Sequence, residues 1–178
     1  VWDINESLEK LIQLSNNLDV CKFKTKRRKE EFLSIRLLLS KILPNSTISY
    51  NKYGAPEIGN NNFISIAHSK NLAAIIISKN KVGLDIEKNS KKPLILSSKF
   101  IAKKRHNPLI KEKAVLIWCC KEAVYKWQQK PGINFIDDIK IMPFTVKQNG
   151  SIIAKFETHK LTLHYKKIDT HFLVYVCK

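Results

Sequence analysis

The chain has 178 residues, enough for one substantial core or two small lobes. An apolar fraction of 44% and a charged fraction of 26% are those of a globular protein, and the longest apolar runs, such as Leu72 to Ile77, are far too short to span a bilayer. With 32 basic against 15 acidic residues the net charge is +17, a field that attracts anionic partners; only Arg27, Arg28, Arg36 and Arg105 are arginines, which argues against a surface built for bidentate reading of bases.

In chain order, Trp2 and Ile4 precede a helical segment from Glu6 to Leu14, with Leu8, Leu11, Ile12 and Leu14 near helical spacing. A basic run from Lys22 to Lys29 leads into Phe32, Leu33, Ile35, Leu37, Leu38, Leu39 and Ile42, a long and mostly buried helix that ends before Pro44. Residues 47–58 read as strand, turn and strand, with Tyr53-Gly54-Ala55-Pro56 as the turn. Phe63 to Ile66 alternates briefly. Asn71 to Ser78 is a stronger β run, and Lys79-Asn80 turns it into Val82 to Glu87. A helix follows from about Glu112 to Gln129, ended by Pro131-Gly132. The remainder alternates: Ile139 to Thr145, Ser151 to Phe156, Leu161 to Lys166 and Phe172 to Cys177. Without regular β-α-β alternation the expected fold class is α+β in two similar lobes, residues 1–80 and 81–178, joined near residues 79–90 as one continuous unit.

Cys21, Cys119, Cys120 and Cys177 form no C-x-x-C pair, so small buried hydrophobes are expected rather than a disulfide framework or zinc site. Val1 opens no secretory-leader pattern, and the expected location is the cytoplasm.

Chemistry concentrates in two segments. In Val82-Gly83-Leu84-Asp85-Ile86-Glu87 side chains alternate, so Val82, Leu84 and Ile86 share one face while Gly83, Asp85 and Glu87 share the other. Two carboxylates on one face repel unless a cation holds them, and such oxygens suit Mg²⁺. Gly83 is expected to leave the surface beside Asp85 open. An isolated D-x-E equally describes a solvated strand edge. In the helix, Leu116, Cys120, Ala123 and Trp127 form one apolar stripe, flanked by Ile117 and Val124, while Trp118, Glu122 and Lys126 follow at i, i+4 and i+8 on a different face. An exposed Glu-to-Lys pair, worth about 0.2–0.5 kcal/mol, would account for Glu122 and Lys126 but not for Trp118. A third element, Ser65-Ile66-Ala67-His68-Ser69, sets a histidine beside Ser69 and Lys70, chemistry that suits a phosphate.

Taken in this order, Val82 to Glu87 and Trp118-Cys119-Cys120-Lys121-Glu122-Ala123-Val124-Tyr125-Lys126 resemble the paired signature of the 4′-phosphopantetheinyl transferases. Upstream, Lys26-Arg27-Arg28 through Arg36, Gly54-Ala55-Pro56 and Ala67-His68-Ser69 are similar to the basic helix entry, G-K-P turn and S-H-S/T element of the long, single-chain, two-lobed (Sfp-like) branch, as is the opening Val1 to Ser7. The resemblance implies two lobes, each a small antiparallel sheet packed with a long helix. It implies transfer of the phosphopantetheine arm of coenzyme A to a serine of an acidic apo acyl or peptidyl carrier protein, by a monomer without nucleic-acid or membrane partners. Asp85, Glu87 and Glu122 are then the ligands of Mg²⁺ or Mn²⁺, and Glu122 and Lys126 the catalytic pair. His68, Ser69, Arg28, Arg36, Lys126 and Trp118 are the residues that bind coenzyme A. The carrier, whether of fatty-acid, polyketide or peptide synthesis, stays open. Ala55 stands where the family has lysine, Ala67 where it has serine, the stretch between Asp85 and Trp118 is short, and Lys99 to Lys104 lacks the usual acidic residue. These departures bear on coenzyme A affinity and carrier choice, and Lys52 and Lys70 are candidates to compensate. Two other readings remain: a catalytically silent relative that binds coenzyme A or carrier, and a basic nucleic-acid-binding module.

Overall fold

The computed structural model describes residues 1–102 and 106–178; Lys103 and Lys104 of the Lys99–Lys104 segment, and Arg105, lie outside the described residues. Two antiparallel five-stranded sheets are each covered by a long helix, the α+β arrangement expected. The first sheet is built from β1 (Trp2–Asp3), β2 (Ser49–Tyr50), β3 (Pro56–Ile58), β4 (Asn62–Ser69) and β5 (Leu72–Ser78), in the order β1-β5-β4-β3-β2. A short helix α1 (Leu8–Leu14) and the long α2 (Lys26–Ile42) lie with it. Thr25 starts α2 by accepting the Arg28 amide on its side chain, and the chain leaves the helix at Leu43, just ahead of Pro44. Leu33, Ile35, Leu38 and Leu39 are buried in this lobe along with Ala73 and Ile64.

The second sheet takes β6 (Val82–Lys88), β7 (Ile139–Ile141), β8 (Asn149–Phe156), β9 (His159–Ile168) and β10 (His171–Cys177), in the order β6-β10-β9-β8-β7. Helix α4 (Lys111–Gln128) covers its inner face. Residues from Ala114 to Ala123 and on to Val124 and Trp127 are buried at most positions, as expected of a helix that is apolar most of the way around. Gln129 closes it in the left-handed conformation, φ 66°, two residues before Pro131.

Strand β6 is where the two halves meet. It pairs with β10 on one edge, and its other edge faces β4, where Ser65 Oγ accepts the Leu84 amide at 2.9 Å and Ser69 Oγ accepts the Lys88 amide at 3.2 Å. Two serines four residues apart thus satisfy amides that an edge strand would otherwise leave bare. Leu84 and Ile86 pack with Ala67, Leu72 and Ala74 of the first sheet, so β6 is buried on both faces and is no solvated edge.

Several local features departed from the sequence pattern. β1 pairs with β5 through only two residues, too short to show periodicity. The run from Ile139 to Thr145 forms a strand only to Ile141, since Pro143 has no amide to add to a ladder. Between β6 and α4 lie a short helix α3 (Lys92–Ile95) and a 3₁₀ turn (Ser97–Lys99) that no pattern announced. Cys119 and Cys120 are buried as expected, whereas Cys21 and Cys177 are exposed.

Candidate active site

Helix α4 lies directly on β6 at Gly83. A Cβ there would stand 1.9 Å from the Ala123 carbonyl oxygen and 2.7 Å from the Trp127 amide nitrogen, so only glycine admits the helix backbone. Gly83 therefore does not leave an open surface beside Asp85. It lets the helix approach closely enough for side chains on one face of α4 to reach those on one face of β6.

The expected faces meet in this way. Lys126 Nζ donates to Asp85 Oδ1 at 2.8 Å, and two helical turns back Trp118 Nε1 donates to Glu87 Oε1 at 3.2 Å. Glu122 sits one turn from each. Its proton affinity is raised from 4.5 to about 7, first by burial, then by the Asp85 charge, with Glu87 adding and Lys126 opposing. Burial and Asp85 also raise Glu87, against the Trp118 hydrogen bond and Lys126. Burial, with Asp85 and Glu87, holds the Cys119 thiol far above its usual range, so it is no nucleophile.

Asp85 is 6% exposed, and its Oδ2 has no hydrogen-bond partner. A buried carboxylate oxygen left in this state, beside two carboxylates that resist ionising together, is a donor set that suits a hard divalent cation. Asp85 Oδ1 and Glu87 Oε1 are turned to Lys126 and Trp118. Among the described residues no three His, Cys, Asp or Glu side chains are arranged to hold a metal ion. The three expected ligands form one electrostatic cluster, not a finished coordination shell.

A second constellation belongs to the first lobe. Glu31, 5% exposed, accepts Arg27 Nε at 2.7 Å and Arg28 Nη1 at 3.1 Å. Arg28 Nη1 also lies 3.1 Å from His68 Nε2, and because a guanidinium can only donate, that ring nitrogen accepts. The proton then belongs on Nδ1, 3.3 Å from Glu31 Oε1 though out of line for a hydrogen bond. Burial lowers the proton affinity of His68, against Glu31, with Arg28 and Lys126 reinforcing the drop. His68 and Lys126 line one cleft, so the two constellations face one another.

Between them opens a cleft of about 380 Å³, with Tyr50, Tyr53, Ala55 and His68 on the first lobe and Tyr125 and Lys126 on α4. A smaller cavity of about 140 Å³ shares Tyr50 and His68 with it and is lined by Arg28 and Arg36. Arg36 stacks 3.3 Å over the Phe32 ring. A third, of about 230 Å³, lies by Glu87, bounded by Trp118, Phe100, Leu96 and Lys92.

Of the expected site residues, His68 and Lys126 line the cleft, and Arg28 and Arg36 line the smaller cavity beside it. Trp118 stands instead in the third cavity, bound to Glu87 and packed edge-on against Phe100 at 5.1 Å. Ser69 lies in the seam, where its hydroxyl accepts the Lys88 amide. Lys52 Nζ lies 5.0 Å from the Tyr53 ring, near the cleft wall that Tyr53 forms. Sequence reasoning missed the tyrosines and Lys121. Tyr50, Tyr53 and Tyr125 are scattered along the chain and share no spacing. Lys121, 3% exposed, donates to the carbonyls of Phe135 and Ile139, pinning that loop so that Phe135 meets Trp118 and Tyr125. Its motif position between Cys120 and Glu122 was the available signal.

The model of the 4′-phosphopantetheinyl transferase superfamily matches residues 81–177, more than half the chain. The chain belongs to that superfamily. Membership carries with it phosphopantetheine transfer as a general activity. The matched span holds β6, α4 and the whole second sheet, so Asp85, Glu87, Glu122 and Lys126 all fall inside it, while Arg28, Arg36 and His68 fall outside. No curated protein matches the chain. No helix among the described residues is long and apolar enough to cross a membrane.

Proposed function

We propose that this superfamily member transfers the 4′-phosphopantetheine group of coenzyme A to a serine of an apo carrier protein, as a cytoplasmic monomer of the long, two-lobed branch. The observation that carries the reading is the seating of α4 on Gly83. It sets Lys126 against Asp85 and Trp118 against Glu87, with Glu122 between them on the helix, and it brings Lys126 to a cleft whose opposite wall holds His68, itself 3.1 Å from Arg28.

In this reading residues 1–80 supply contacts to the phosphates and residues 81–178 supply the chemistry. Arg28, Arg36 and His68 hold and orient the anionic end of coenzyme A, and Tyr50, Tyr53 and Tyr125 form walls of the cleft. Asp85 Oδ2, Glu122 and Glu87 are the groups that would hold Mg²⁺ or Mn²⁺. When bound, such a cation supplies charge neutralisation along the pyrophosphate and lowers the proton affinity of Glu122. The serine oxygen attacks the β-phosphorus, its proton passes to the Glu122 carboxylate, and the bond to the α-phosphate breaks. Adenosine 3′,5′-bisphosphate leaves with the electron pair. Lys126, within reach of both Asp85 and the cleft, offsets the charge growing on that leaving phosphate.

The test is intact-protein mass spectrometry of apo carrier proteins of fatty-acid, polyketide and peptide synthesis, each incubated with coenzyme A and Mg²⁺. The expected result is the gain of one phosphopantetheine group on at least one carrier, abolished by Asp85→Ala and Glu122→Ala. No gain on any of them overturns the reading.

A further inference from the structure

Among the described residues of the first lobe, Glu31 alone is a buried acid, 5% exposed on α2. Burying a carboxylate is costly unless cations meet it, and the transfer proposed above gives it no part. Its Oε1 accepts Arg27 Nε at 2.7 Å and lies 3.3 Å from His68 Nδ1, while Oε2 accepts Arg28 Nη1 at 3.1 Å. The arginines are its neighbours at i−4 and i−3, pairs that any helix surface can carry. A solvated helix pair needs neither burial nor a contact with β4. His68 comes from that strand, in another part of the chain.

The Arg28 side chain is 61% exposed, and a long exposed side chain spreads over many rotamers unless something ties it. Glu31 ties one nitrogen only. Arg28 Nη1 meets the carboxylate and His68 Nε2, each at 3.1 Å, whereas among the described residues its Nε and Nη2 have no hydrogen-bond partner. The tie fixes where the head rests, and the exposed stem stays free to follow a ligand. It also sets the histidine. His68 Nε2 faces a guanidinium that can only donate, so the ring proton belongs on Nδ1, the nitrogen beside Glu31. Arg28, Arg36, His68 and Glu31 line one cavity of about 140 Å³, and both Glu31 oxygens are taken up by the guanidiniums of Arg27 and Arg28. Its charge is thereby offset where an anion would arrive.

We propose that Glu31 is a positioning residue for this anion site: it holds the Arg28 head at the cavity and keeps the His68 proton on Nδ1, so that the unspent Arg28 donors are preset for the anionic end of coenzyme A. The identity of the ligand rests on the transferase reading above; the tie itself rests on the three contacts. Preset donors bind more tightly because less ordering is left to the moment of binding. A carboxylate that merely competed with the ligand for Arg28 would act with the opposite sign, since its removal would tighten binding.

The test uses the full chain, wild type and Glu31→Gln, with coenzyme A as the probe. Histidine-selective ¹⁵N labelling and long-range ¹H–¹⁵N correlation read the ring proton, with His68→Gln assigning the signal among the five histidines. The wild type is expected to carry the proton on Nδ1 and the variant to gain the Nε2–H form. Calorimetry should show the dissociation constant for coenzyme A rising about fivefold in Glu31→Gln, and kinetics a KM for coenzyme A that rises by more than kcat falls. In the Arg28→Ala background the same change should add less than its separate effect, because Glu31 then has no Arg28 to hold. A loosened helix alone would move the Tm and not the tautomer. A proton on Nε2 in the wild type overturns the proposal whether or not the variant folds. So does an unchanged or tightened dissociation constant in Glu31→Gln, with transfer itself left standing. Glu31-dependent binding of coenzyme A by a protein that transfers to no carrier upholds the positioning role and sinks the transferase reading.

Discussion

The two lobes share a plan, a five-stranded sheet under a long helix, yet they are stabilised differently. The second has one contiguous core reaching from Phe100 through Val115, Cys120 and Trp127 to Val176. The first has three smaller clusters, centred on Leu11 with Leu33, on Ile35 with Ala73, and on Leu39 with Ile64. The difference bears on function. Asp85, Glu122 and Lys126 grow from the continuous core, where packing locks each rotamer. Arg28 and Arg36 extend from a helix face, and Tyr53 is exposed at 51%, so the first lobe offers groups that can adjust to a ligand. In the proposed reading, the reactive groups sit where positions are held and the recognition groups where they can move.

The sharpest way to break that contrast is a single methyl group. Gly83→Ala forces α4 off β6 and should cost about 1–3 kcal/mol, measured as a lowered urea midpoint, with transfer reduced at least about a hundredfold because the whole facing set moves. Gly54→Ala is the first-lobe counterpart. A Cβ at Gly54 meets nothing within 4 Å, although φ there is 80°, so the cost is about 1 kcal/mol of backbone strain and the rate changes little.

Next in size is Lys126→Met. It removes the cation facing a nearly buried Asp85 and should lower kcat about a hundredfold. The stability loss is about 1–3 kcal/mol, less than for a sealed pair because the Lys126 side chain is 28% exposed. Arg28→Ala, in contrast, should chiefly raise the KM for coenzyme A, by about five- to tenfold, as steady-state kinetics would show.

The pH response separates the lobes more finely. Folding raises the Glu122 proton affinity from 4.5 to about 7, so across that window the folded state binds more protons than the unfolded one. The contribution of Glu122 to stability is therefore present in full at low pH and is lost as pH rises from 4.5 through about 7, opposite to the usual carboxylate. Glu122→Gln should flatten this slope in urea unfolding at a series of pH values, whereas a first-lobe substitution such as Arg36→Ala should leave it in place.

The smallest expected effect sharpens the recognition side. Ala55 lines the cleft where the family carries a lysine, and Ala55→Lys should lower the KM for coenzyme A about threefold, with kcat unchanged.

Local pattern was enough to mark β6 and α4 and the faces that carry Asp85, Glu87, Trp118, Glu122 and Lys126, because alternation and helical spacing are properties of neighbouring residues. It was also enough for the α+β class. Pattern misled where a residue's role depends on what lies above it in space. Gly83 read as an opening and is a point of close helix approach, where a Cβ would meet the α4 backbone.

The order of residues by itself determined which side chains share a strand or helix face, and so which groups were available for chemistry. Only tertiary structure decided that Lys126 occupies one oxygen of Asp85, that Glu122 keeps its proton until near neutrality, and that His68 looks across a cleft at the other lobe. Periodicity is written in bonds between neighbours, whereas charge, burial and proton affinity depend on distances that exist only once distant segments have packed together.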